Sequence, residues 1–194
     1  MRKTEEYNIT LNEENSENTK KQPRQGKLNI FEVFEAIIAA LVVITILFTF
    51  VFRVVSVDGS SMKPTLHNND KIIVSTIGYE PKRGDIVVIS ETESMSEPIV
   101  KRIIAVGGDE VNINFTTGVV TVNGIEEDYT SELTTQQFDI AFPIEVPEGK
   151  VFVLGDNRGN SIDSRSTRVG CIDERLILGK VLFRFFPIGD WTVE

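Results

Sequence analysis

Cysteine and histidine are almost missing from this chain of 194 residues, which contains one of each. The single cysteine, Cys171, excludes an internal disulfide, and an isolated cysteine is more typical of a small buried side chain than of a reactive thiol. With one cysteine and one histidine, the chain also lacks the Cys/His spacing of a zinc site. We therefore expect no metal and no cofactor, and a fold stabilised by its hydrophobic core alone.

Basic residues are also in short supply. The chain has 20 Lys and Arg against 29 Asp and Glu, which gives a formal net charge of −9. Nucleic-acid binding needs a basic face that contacts the phosphates. The composition therefore excludes nucleic acid as a partner.

One long apolar run is present. Residues 36–52 carry no charge, and their most polar side chains are Thr45 and Thr49. A cleaved signal peptide would have a shorter apolar core followed by small residues. A buried core helix is the other alternative, but a run that is apolar on all faces suits lipid better. The run predicts an uncleaved transmembrane helix.

The sequence on either side of the run predicts the organisation of the chain. Residues 1–30 are polar, which predicts a flexible tail. Residues 31–53 are predicted to form a membrane anchor, and residues 54–194 are predicted to form the folded domain. Lys20, Lys21, Arg24 and Lys27 precede the run, whereas only Arg53 follows it closely. The positive-inside rule then places the tail in the cytoplasm and the domain outside, as in a single-pass type II protein of the plasma membrane.

Beyond the anchor the pattern changes to short strands rich in Val, Ile and Phe, separated by Gly, Pro, Asn and Asp. Strands are predicted at residues 51–57, 71–76, 85–90, 99–106, 110–115, 118–122, 150–154 and 178–186. The dipeptide Asn123-Gly124 is a strong hairpin signal. The predicted fold class is mainly β, a partly closed barrel or coiled sheet.

Three segments could carry chemistry. Ser61, in a turn punctuated by Gly59 and Pro64, is a candidate nucleophile. The one histidine that could serve as its base, His67, follows only six residues later in a polar turn, where a surface role is expected. Lysine is the other side chain that can activate a serine when burial lowers its pKa. In strand 99–106, Lys101 shares a face with two isoleucines, and it is either a desolvated base or an edge lysine whose amine reaches water.

The third segment, residues 155–165, follows a Val-Phe-Val-Leu strand and contains two glycines, two asparagines and two Asp–Arg couples. Such a segment is either a polar turn held by its own side chains or a scaffold that orients catalytic groups.

Together these motifs resemble the bacterial type I signal peptidases, in particular the single-anchor members of Gram-positive bacteria. The resemblance rests on motifs that occur in the family's order, at residues 61–65 (SMKPT), 83–87 (RGDIV), 101–102 (KR), 155–165 and 179–184 (GKVLFR). It implies a serine endopeptidase in which Ser61 is the nucleophile and Lys101 the general base. It also implies supporting roles for residues of the third segment. Ser161 would orient the Lys101 amine, and Asp163 and Arg165 would form an ion pair. Gly155 and Asp156 would help to hold Ser61 and Lys101 in place.

The resemblance also implies a substrate: an exported preprotein whose signal peptide lies in the bilayer and binds by strand addition. The implied partners are preproteins and the lipid bilayer, with Sec-type export machinery as a neighbour. The expected substrate-binding residues are Val55, Val57, Gly59, Met62, Leu66, Ile99 and Val100. Gly59 departs from family members that carry a serine there as an oxyanion donor, and Gly107 from those that carry proline.

Two other functions fit parts of the pattern. One is a self-cleaving Ser-Lys peptidase of the repressor type, against which the membrane span and the extended 155–165 segment count. The other is a catalytically silent, membrane-anchored binding protein on the same fold, which would be expected to have lost Ser61 or Lys101.

Overall fold

The computed structural model describes residues 29–91 and 95–189. The predicted flexible tail lies outside the described residues except for its last two positions.

Helix α1, Ile30–Phe50, covers most of the predicted anchor. At its start, the Val33 amide donates to the Asn29 carbonyl over 3.2 Å, and the Asn29 side-chain amide donates to Glu32 over 3.4 Å. The side chains of residues 30–49 are exposed all around the helix. By length and composition, the segment Ile30–Thr49 could cross a membrane, and a helix suits that environment because it satisfies its own backbone groups.

After the helix, the described residues form eleven strands and one short 3-10 helix, Glu174–Leu176. The strands are β1 Phe52–Ser56, β2 Lys71–Ser75, β3 Ile86–Ile89, β4 Ile99–Val106, β5 Glu110–Asn114, β6 Val119–Val122, β7 Ile125–Glu126, β8 Ile144–Glu145, β9 Lys150–Leu154, β10 Ile172–Asp173 and β11 Ile177–Phe186. All eight predicted strands are present. The three that were missed, β7, β8 and β10, have two residues each, too few to show an alternating pattern.

The strands form two antiparallel sheets. Seven strands form a curled half-barrel in the order β1-β2-β11-β3-β4-β9-β10, and four form a smaller sheet in the order β7-β6-β5-β8. Strand β11, the last in the chain, lies between β2 and β3, and breaks in its register bend it along both neighbours. The predicted mainly β class with a coiled, partly closed sheet is confirmed.

Strand β4 lies inside the large sheet, between β3 and β9, and is buried along most of its length. Ile103 packs in a cluster with side chains of β3 and β9, and Ile99 packs against the edge of that cluster. Val100 lies against a second cluster that contains Met62 and Leu66. The packing of both faces therefore fixes β4 relative to the turn that carries Ser61.

Candidate active site

Ser61 lies in the connection between β1 and β2. This connection begins at Val57, whose amide donates to the Asp70 carbonyl over 2.9 Å and whose carbonyl accepts from the Asn69 amide over 2.8 Å. Gly59 has φ +93°, a conformation that favours glycine, and its amide donates to the Asn68 side chain. Met62 and Leu66 are buried, so they hold the turn against the core while Ser61 stays half-buried at the surface.

Lys101 lies on an interior strand, opposite Val87 of β3, and only 3% of its surface is exposed. Because so little of it is exposed, the alternative of a lysine whose amine reaches water is wrong. Its Nζ lies 2.8 Å from Ser61 Oγ, within hydrogen-bonding distance, and donates to the Val100 carbonyl over 3.2 Å. The structure thus brings together two groups 40 positions apart in the sequence.

Burial lowers the pKa of Lys101 from 10.5 to about 8, because an ammonium loses its hydration there. Asp163 and Asp156 oppose this by raising the pKa, and Arg165 lowers it further. Near neutral pH a useful fraction of this amine is therefore unprotonated, which is the form that can accept a proton.

Residues 155–165, which we call the catalytic loop, follow β9 and contain a fully buried ion pair. Arg165 Nε and Nη2 donate to the two oxygens of Asp163 over 2.8 and 2.9 Å. The same carboxylate accepts from the Gly155 amide over 3.1 Å, which closes the loop on itself. This is the pairing that the sequence suggests for these two residues.

The side chains of Asp156 and Arg158, the other Asp–Arg couple in the loop sequence, do not pair with each other. Asp156 instead pairs with Arg102 of β4 through two parallel hydrogen bonds of 2.9 and 2.8 Å, and it accepts from Thr65 Oγ1 over 2.6 Å. Arg158 pairs with Glu127. Asp156 therefore ties three separate segments together: the turn, β4 and the loop.

Two asparagines of the loop, which sequence reasoning did not single out, also hold the turn. The Asn157 amide donates to the Ser61 carbonyl and its side chain to the Ser60 carbonyl, both over 3.0 Å. The Asn160 side chain donates to Ser60 Oγ over 2.9 Å. The signal available in the sequence was the presence of two asparagines in the loop, but it did not show which groups they would meet.

Gly155 and Ser161 lie against each other beside the turn. A Cβ at Gly155 would stand 2.3 Å from Ser161 Oγ and 2.5 Å from the Ser61 carbonyl oxygen, so only glycine fits here. The expected hydrogen bond from Ser161 to the Lys101 amine is absent. Ser161 Oγ is buried and has no hydrogen-bond partner among the described residues, while the amine is directed at Ser61 and Val100.

The expected substrate-binding residues divide by exposure. Val57, Met62 and Leu66 are buried in one cluster. The surface open to a ligand belongs to Val55, Gly59, Ile99 and Val100.

The one histidine of the chain lies in a surface turn and takes no part in the hydrogen bonds described above. His67 is exposed, and its amide donates to Asp70 in a surface turn. Within residues 29–91 and 95–189 no three His, Cys, Asp or Glu side chains are grouped so that they could hold a metal ion.

Comparison with known proteins finds a matching family model and similar relatives. Residues 30–186 match the family model described as signal peptidase, peptidase S26. The chain is 37% identical to signal peptidase I of Bacillus licheniformis over 163 residues, which cover 79% of this chain and 87% of that protein. It is 38% identical to signal peptidase I T of Bacillus subtilis strain 168 over 151 residues, 73% of this chain and 77% of that protein. A crystal structure of a signal peptidase I from Enterococcus faecalis V583 aligns with 54% of this chain and 97% of its own, at 31% identity and a TM-score of 0.44.

Proposed function

This chain belongs to the signal peptidase family, peptidase S26, and we propose that it removes signal peptides from exported preproteins with Ser61 as nucleophile and Lys101 as general base. The observation that carries this proposal is the 2.8 Å separation between Ser61 Oγ and a buried lysine amine. A serine hydroxyl is a weak nucleophile on its own, and a base within hydrogen-bonding distance is what activates it.

The reaction proceeds in two stages. The neutral Lys101 amine takes the Ser61 proton as Oγ attacks the scissile carbonyl, and the resulting ammonium protonates the leaving amine of the mature protein. The same amine then takes a proton from water, which attacks the acyl-enzyme and releases the signal peptide. The proton returns to Ser61 when the ester bond breaks, so the enzyme ends in its starting state.

The oxyanion of each tetrahedral intermediate needs a donor. The backbone N–H of Ser61 donates to no acceptor among the residues that the structure describes, so it is available for this role. Gly59 offers none, because its amide is already bonded to Asn68. Removing one such donor in other serine enzymes costs about 3–4 kcal/mol of transition-state stabilisation.

The substrate binds in an extended form beside β4. Strand β9 pairs with β4 only from Arg102 onward, which leaves residues 99–101 without a partner on that side among the described strands. An added peptide strand can use this free backbone, and its alternate side chains then face Val55 and Val100. Apolar walls close to the backbone favour small residues at the first and third positions before the cleavage site.

The apolar helix anchors the enzyme in the plasma membrane, with the N-terminus in the cytoplasm and the β domain outside. The positive charges before the helix support this orientation. Enzyme and signal peptide then share one bilayer, which raises their effective concentration without any new contact. Preproteins reach the enzyme beside Sec-type export machinery.

The test is cleavage of a preprotein by the full-length protein in detergent or vesicles. Ser61→Ala and Lys101→Ala should each reduce the cleavage rate by a factor on the order of 10³ or more, with thermal unfolding showing that both variants fold. His67→Ala is the control and should keep wild-type activity. Near-normal cleavage by Lys101→Ala would show that the base is another group.

A further inference from the structure

An irregular segment from the edge of the small sheet contacts the catalytic loop at several points. We call residues 127–139, which follow β7 and contain no helix or strand, the strap. Arg158 Nη2 donates to both oxygens of Glu127 over 3.1 and 2.9 Å, and its Nη1 donates to Thr134 Oγ1 over 2.9 Å. These contacts link the loop to residues more than 20 positions earlier in the chain.

The pair of Glu127 and Arg158 is almost completely shielded from water, with side chains 3% and 2% exposed. Arg158 Nε is also buried and has no hydrogen-bond partner among the described residues. Glu127 is thus the only carboxylate bonded to this guanidinium in the described part of the chain. Removing one partner of such a pair leaves a buried charge uncompensated, which is strongly destabilising.

The strap also reaches the ion pair at the base of the loop. Arg165 Nη1 donates to the Gln136 carbonyl over 3.0 Å, and the Phe138 ring lies 5.2 Å from the Arg165 guanidinium carbon. Arg165 Nη2 donates to the Arg158 carbonyl over 2.9 Å. The loop is therefore held at both of its arginines, and these are joined to each other.

The charges that act on the Lys101 amine come from this loop. They are Asp163, Asp156 and Arg165, while the turn on the other side presents the neutral Ser61. The largest influence, loss of hydration, depends on the protein groups that cover the amine.

We propose that Glu127 is a positioning residue of the peptidase: by neutralising Arg158 it keeps the catalytic loop packed beside the Lys101 amine and so keeps water away from that amine. This inference depends on the function proposed above. Without the Glu127 charge the loop moves outward, the amine is hydrated, and its pKa rises towards the ordinary value of a lysine. Glu127 is bonded to neither Ser61 nor Lys101, and it acts through Arg158.

The experiment compares Glu127→Gln with Glu126→Gln in the full-length protein. Glu126 is the adjacent carboxylate, exposed on β7, and serves as the matched control. The measurement is kcat/KM for a signal-peptide substrate from pH 6 to pH 10.5. The wild-type and control profiles should rise about tenfold per pH unit and level off near pH 8, where Lys101 titrates.

For Glu127→Gln we expect the rising limb to move up by about one pH unit. The value of kcat/KM at pH 7 then falls about tenfold, while the value at pH 10 stays within about twofold of wild type, with KM little changed. A profile equal to that of Glu126→Gln would overturn the proposal. So would an equal loss at every pH, because a merely structural defect does not depend on the protonation of Lys101.

If Glu127→Gln does not fold, the double variant Glu127→Met/Arg158→Met replaces the ion pair with an apolar one, which proteins often tolerate. It removes the charge that Glu127 neutralises, so its rising limb should lie at the wild-type position, and a limb shifted to higher pH would overturn the proposal. Ser61→Ala is measured in parallel. Residual cleavage by Ser61→Ala would refute the proposed function itself, whereas an inactive Ser61→Ala with an unshifted Glu127→Gln refutes only the role of Glu127.

Discussion

Replacing Lys101 with methionine should make the protein more stable at neutral pH, because the native structure buries an ammonium there. Burial lowers the pKa of Lys101 from 10.5 to about 8, a difference of about 2.5 units. At about 1.36 kcal/mol per unit, the charged amine costs the folded state about 3 kcal/mol relative to the neutral amine. Methionine has a similar length and carries no charge, so it removes this cost.

The effect has a defined dependence on pH. Below pH 8 the lysine is protonated in both the folded and the unfolded protein, and the cost is fully present. Between pH 8 and 10.5 the unfolded state binds one proton more than the folded state, so the free energy of unfolding of the wild type rises with pH. Above pH 10.5 the two states bind equally and the rise stops.

The assay is urea unfolding of the full-length protein in detergent, followed by circular dichroism at several pH values. Lys101→Met should exceed the wild type by about 3 kcal/mol at pH 7, and the difference should disappear by about pH 10.5. Lys82→Met, at an exposed position, should show no such difference. A difference between wild type and Lys101→Met that stays constant from pH 7 to pH 11 would refute the reasoning, because Lys101 would then titrate alike in both states.

Two further predictions concern the packing around Ser61 and Lys101. Gly155→Ala should reduce preprotein cleavage at least tenfold and destabilise the protein by about 1–3 kcal/mol, because the added methyl overlaps two serine oxygens. In the control Gly159→Ala, nothing lies within 4 Å of the added methyl, and both measurements should stay unchanged. Arg102→Met should lower the free energy of unfolding by about 3–5 kcal/mol, and with it the urea midpoint, because it leaves the buried Asp156 carboxylate unpaired. Arg175→Met removes one partner of an exposed pair and should leave the urea midpoint unchanged. Equal midpoints for the two arginine variants would show that the Arg102 pair is not buried in solution.

Much of the fold could be predicted because its signals are local. The alternation of Ile99, Lys101 and Ile103 predicted which face of β4 each side chain occupies. In the structure, Ile103 lies in one hydrophobic cluster, Ile99 packs against the edge of that cluster, and Lys101 is buried between them along the strand. The Asn123-Gly124 dipeptide predicted the hairpin that joins β6 to β7. Both signals involve residues a few positions apart, whose geometry follows from backbone sterics.

The partners of the buried charges could not be predicted in this way. The two Asp–Arg couples of the catalytic loop look equivalent in the sequence, yet one forms and the other is replaced by pairs with Arg102 and Glu127. The expected bond between Ser161 and the Lys101 amine is also absent, since the amine is directed elsewhere.

The sequence by itself determined the apolar helix, the β class and the residues that could carry chemistry, because periodicity, turn residues and motifs depend on neighbours along the chain. Only the tertiary structure decided that Lys101 lies on an interior strand with its amine 2.8 Å from Ser61, and that Glu127 and Gln136 bond to the two arginines of the catalytic loop. Hydration, pKa and charge pairing depend on groups that are distant in sequence and meet only when the sheet curls.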